Sequence, residues 1–175
     1  MAAARRGGSD PVTALLTLLV LGLLVTLSAA AVRRNRRTKA VEAFAADLRE
    51  RRSLEAMYVS KLDRSFIAFR FSDRTLVLGD GAEEREYPFA AVTGATVEVA
   101  RTPAKSGKDE DGWIKQLAVR VWVDDPDRPS WAYRILDWPR GKGLPADVPG
   151  TMAMMDQAER IVAQVEDAKR VGQAP

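Results

Sequence analysis

The sequence predicts an α+β chain: an N-terminal transmembrane helix, then a seven-stranded antiparallel barrel or sandwich closed by a C-terminal amphipathic helix. Three observations carry that expectation. No charged side chain occurs from Val12 to Val32. From about Leu54 to Leu136 apolar residues recur at alternate positions, the spacing of half-buried strands. From Thr151 to about Val171 they return to helical spacing. With 175 residues, the chain has room for one globular domain and an appendage.

Composition narrows the chemistry. The chain has neither Cys nor His, which excludes disulfides, thiolate nucleophiles, Cys/His zinc sites and imidazole-based triads. Hydrophobic residues at 46% and charged residues at 29% suit a folded protein. The net charge of +3 is unevenly spread. Seven of the 27 basic residues and one of the 24 acids lie before residue 40, leaving 20 positive against 23 negative charges beyond it. A basic footprint is therefore missing from the folded part, and no nucleic-acid partner is expected.

At the amino end, Asp10-Pro11 is a good helix start, and a helix over 12–32 is about 31 Å long, near the thickness of a bilayer core. Thr13, Thr17, Thr26 and Ser28 can bond back to helix carbonyls. The basic residues that follow, Arg33, Arg34, Arg36, Arg37 and Lys39, outnumber Arg5 and Arg6 on the other side. The positive-inside rule then keeps the carboxyl side in the cytoplasm. That implies a single-pass protein of the inner (plasma) membrane, with the lipid bilayer as its first partner. The organisation reads as a short non-cytoplasmic tail (1–11), the span (12–32), a basic flank with an amphipathic linker helix (33–53) and a folded domain (54–175). The rival is an exported protein whose signal peptide is cleaved, with Leu15–Leu27 as apolar region and Ala29-Ala30-Ala31 as processing site.

In the linker, Val41, Phe44, Ala45 and Leu48 share a helical face suited to packing on the domain or a partner. The strand region follows. Met57–Ser60 is a first strand. Ser65–Phe71 sets Ile67, Phe69 and Phe71 on one face, and turns at Asp73-Arg74 and Gly79-Asp80-Gly81 bound Thr75–Leu78 and Glu84–Pro88. Gly94–Arg101 turns Ala95, Val97 and Val99 inward. After the polar loop Thr102–Gly112, Trp113–Asp124 sets Trp113, Leu117, Val119, Val121 and Val123 on one side. Trp131–Leu136 does the same with Trp131, Tyr133 and Ile135. Matching Val123 to Trp131, Val121 to Tyr133 and Val119 to Ile135 pairs apolar with apolar and sets Arg120 opposite Arg134 on the outer side. Trp122 falls on that outer side, under a covering helix or loop or in a partner-binding patch.

The stretches Phe66-Ile67-Ala68-Phe69, Thr75-Leu76-Val77-Leu78, Tyr87-Pro88-Phe89-Ala90-Ala91-Val92 and Ala95-Thr96-Val97-Glu98-Val99 resemble bacterial pleckstrin-homology-like (PH-like) domains. The resemblance covers about residues 54–171. It implies a strand barrel closed by one helix, with Tyr87, Phe89 and Val92 as anchors and a membrane helix nearby. Headgroup-binding members place several basic residues around the first hairpin. Here that region offers Lys61 and Arg64, with Arg70 beyond, interrupted by Asp63 and without the usual basic spacing.

Signals for an enzyme are poor. Gly141-Lys142-Gly143 lacks phosphate-loop spacing, and Asp109-Glu110-Asp111 and Asp124-Asp125-Pro126-Asp127 do not fit a calcium loop. No cofactor, metal or catalytic residue is expected. The function expected is a membrane-anchored module for protein interaction or assembly, acting through strand edges, the Thr102–Gly112 loop or the Trp122 face. The alternative is a lipid-headgroup sensor using Lys61, Arg64 and the basic flank. Trp122, Lys61 and Arg64 are the interaction candidates.

Overall fold

Both long helices open on a proline, whose fixed φ suits a first turn and whose missing N–H has no partner there in any case. The computed structural model describes residues 11–102, 112–139 and 141–174, with α1 at Pro11–Arg52 and α2 at Pro149–Gln173. The chain divides between Ala40 and Val41 into two units.

In the first unit the described residues are helical, and Leu15, Leu16, Leu19, Val20 and Val32 are exposed. Among the described residues no helix is long and apolar enough to cross a membrane. This corrects the expected transmembrane helix, and with it the single-pass topology and the inner-membrane location. The uncharged stretch has no end of its own: it is the first part of one helix that continues through the basic residues to Arg52.

The second unit holds the strands: β1 (Ala56–Val59), β2 (Phe66–Arg70), β3 (Thr75–Gly79), β4 (Glu84–Pro88), β5 (Val92–Thr102), β6 (Trp113–Val123), β7 (Ser130–Asp137) and β8 (Leu144–Pro145). They form two antiparallel four-stranded sheets, β1-β2-β3-β4 and β5-β6-β7, the second completed by β8 on the start of β6. The expected seven-stranded barrel is corrected accordingly. The short strand β8 lies in a stretch whose Gly and Pro content reads as loop.

The main core lies between the sheets and α2, joining Ile67, Phe69 and Leu76 to Leu117, Val119 and Val121 and to Ala158, Ile161 and Val165 of α2. A second cluster covers the other face of the first sheet. Leu48 and Leu54 meet Phe66, Ala68 and Val77 there, and the Phe44 ring packs edge-on against Phe66. Strand β2 is thus buried on both faces, which is why Phe66 to Phe69 is an unbroken apolar run. Arg52, at the end of α1, bonds Glu84 and Glu86 of β4.

The last hairpin differs from expectation by two residues. Val121 stands opposite Trp131 and Val119 opposite Tyr133. A two-residue shift keeps each apolar set inward, so alternation alone does not choose between the registers. The turn chooses. Asp125 accepts from the backbone N–H of Asp127 and Arg128, and Val123 N–H reaches Pro129 O at 3.0 Å. Arg120 therefore faces Ala132 rather than Arg134, and it bonds Glu98 of β5 at 2.6 and 3.1 Å.

Two bulges move apolar residues between faces. An extra residue at Lys115, between Ile114 and Gln116, turns Ile114 into the core in place of Trp113. Another at Ile135 buries Leu136 where Ile135 was expected.

Candidate interaction site on the β5 edge

Among the described residues β5 pairs only with β6, so one of its edges has no described strand beside it. The direction of its backbone groups follows from two bonds. Ala95 N–H donates to Glu166 of α2 at 2.9 Å, and Lys169 donates to Thr93 O at 2.8 Å. Ala95 therefore points away from β6. Because antiparallel pairs alternate between bonded and non-bonded, Val97 and Val99 point their N–H and C=O the same way, while Thr96 and Glu98 bond to β6.

Side-chain burial shows the same edge. Val97 and Val99 face the core but are only half-buried, whereas their partners Val119 and Leu117 are fully buried. The far side of the sheet is closed differently: Arg134 N–H of β7 donates to Ser65 Oγ, and Ser65 is buried. Strand β4, an edge of the first sheet, carries Glu84, Arg85 and Glu86 and ends in Pro88, features that discourage pairing.

Helix α2 runs antiparallel past β5, touching Thr93 with Lys169 and Ala95 with Glu166. Beyond them, where β5 ends and α2 begins, a cleft of about 410 Å³ is lined by Arg101, Ile114, Ala146, Asp147, Met152, Met155 and Asp156. Lys115's bulge helps form it, because it brings Arg101 opposite the inward Ile114.

A charged clasp holds the opposite end of the two sheets. Tyr87 donates to Asp125 Oδ2 at 2.8 Å and accepts from Trp131 Nε1 at 3.1 Å. Arg85 bonds Asp125 and Glu83, while Arg128 bonds Asp80 and Glu83 and lies 3.5 Å over the Trp131 ring. The Tyr87 hydroxyl, with Arg85 and turn N–H groups, holds the Asp125 carboxyl down at about 2. Arg128, with the N–H groups of Glu83 and Ala82, holds Asp80 at about 2. These groups are committed to one another, and the arrangement is structural.

The residues singled out from sequence do not converge. Lys61 and Arg64 are exposed in the turn between β1 and β2, Arg64 with a left-handed φ of 62°. Trp122 is half-buried on the outer face of β6, in the other sheet, opposite Gly94 and Ser130. In α1, Arg36 and Lys39 are exposed, and the side chains of Arg33, Arg34 and Arg37 lie outside the described residues. So do most of the Thr102–Gly112 loop, with Asp109-Glu110-Asp111, and Asp10. Among the described residues no group of three acids could hold a metal ion. Sequence pattern does not reveal the cleft, because its lining comes from the end of β5, the start of β6, the stretch before α2 and α2 itself, although Met152 and Met155 near Asp156 are visible. No protein-family model, curated protein or solved structure matches the chain.

Proposed function

We propose that the chain is a protein-interaction module, not an enzyme, which takes up an extended segment of a partner as an added strand on β5. The observation that supports this is the outward row of backbone donors and acceptors at Val97 and Val99, beside half-buried apolar side chains. Main-chain pairing supplies affinity in this mode, and pockets for alternate side chains supply selectivity. The resemblance to PH-like domains belongs to the same proposal. Placing the carboxyl-terminal helix beside β5 gives the added strand a second wall.

A photo-crosslinking side chain at the exposed Ala100 of the full chain tests the proposal in the native host. A discrete adduct is expected on an extended segment of one partner. Val99→Pro should abolish it, because the proline removes an edge donor that β6 does not use. A thermal melt of the variant establishes that it is folded. Adducts unchanged in a folded Val99→Pro chain, or no adduct at all, contradict the proposal.

A further inference from the structure

The cleft at the end of β5 carries information about what the added strand must contain. Arg101 pairs with the inward Ile114 and lines the cleft, so inward positions of β5 run through Val97 and Val99 to Arg101. A strand laid along this edge would likewise alternate, and one of its inward side chains would enter the cleft beside Val99 and Arg101. The floor there is Ile114, Ala146, Met152 and Met155. Methionines fit apolar side chains of varied shape. At the small end of ligand-sized cavities, the space suits one or two side chains and not a helix.

Two acidic residues stand together at one wall. Asp147 and Asp156 stand on the α2 side, both exposed, and Arg101 on the strand side. From this complementarity we infer that the occupant is an extended peptide with a bulky apolar residue in the cleft and a Lys or Arg beside it, directed to Asp147 and Asp156. The inference rests on the strand-addition reading above and goes further by fixing the partner's chemistry. Acidic peptides are disfavoured at the helix wall, since like charges brought together there repel.

Panning a random dodecapeptide library against the full chain tests it. Enriched peptides should share a Leu, Ile, Met or Phe within two positions of a Lys or Arg, and should slow exchange of the Val97 and Val99 amides. Charge reversal by Asp147→Lys or Asp156→Lys should weaken the best peptide about three- to fivefold each, with the loss shrinking in high salt. Met155→Ala should weaken it roughly tenfold. Peptides that protect those amides yet lack the basic residue, or ignore both charge reversals, would overturn this inference and leave strand addition standing. Peptides that bind without protecting the amides, or a library with no binder, would overturn both. A chain that dimerises in sedimentation through this edge and excludes the peptides would replace the peptide with a second copy, and overturn the inference.

Discussion

Gly172 sits where the last turn of α2 meets the backbone of Phe89 and Ala90. A Cβ there would lie 2.4 Å from Ala90 N and from the Phe89 carbonyl carbon. Glycine normally weakens a helix by about 1 kcal/mol relative to alanine, yet Gly172→Ala should destabilise the fold by about 1–3 kcal/mol because neither backbone atom can yield. Gly150, with nothing within 4 Å, is the control. Gly150→Ala should leave stability equal or slightly higher, and urea midpoints compare the two. Tyr87 is the other critical single residue. Tyr87→Phe removes the acceptor of Trp131 N–H and a donor to Asp125, and should cost about 1–3 kcal/mol. Asp80 and Asp125 give the pH dependence. Both carboxyls are held at about 2 in the folded chain, below about 3.9 in the unfolded one. Their contribution is complete above the unfolded value and is lost as pH falls from about 4 through 2. The urea midpoint should be level from pH 7 to 5 and then fall, less steeply in Asp125→Asn.

At the scale of elements, the last turns of α1 act as a cover for β2 and β3. Leu48 is fully buried against Leu54, Phe66 and Val77, so Leu48→Ala should cost about 2–5 kcal/mol in denaturant unfolding. The apolar face at Val41, Phe44 and Leu48 was legible in the sequence, as were β2 to β7 and α2, because each carries a helical or alternating apolar pattern, or a short apolar run, bounded by turn residues. What the sequence hid has physical causes. Lys115 and Ile135 are ordinary strand residues, and nothing in their type marks a bulge, yet each reverses which neighbour faces the core. The hairpin register was hidden because a shift of two preserves the pattern, leaving the decision to the Asp125 turn. The stretch over 12–32 lacks charge, but an absence of charge does not say that its helix continues through the basic residues to Arg52. The β5 edge was hidden most fully. Strand pattern tells which side chains face inward, not whether a further strand lies alongside.

At the scale of the whole domain, one feature separates the two sides of the second sheet. Ser65 caps β7, Glu166 and Lys169 of α2 cap the beginning of β5, and among the described residues the stretch from Val97 onward pairs with a strand on one side only. The proposed strand addition depends on that open stretch. Amide hydrogen exchange of the free, full chain, read residue by residue, tests it most directly. Thr96 and Glu98 should be strongly protected by β6, and Val97 and Val99 should exchange far faster although they lie in the same strand. Equal protection of all four amides would mean that the edge is already covered, and would contradict the account.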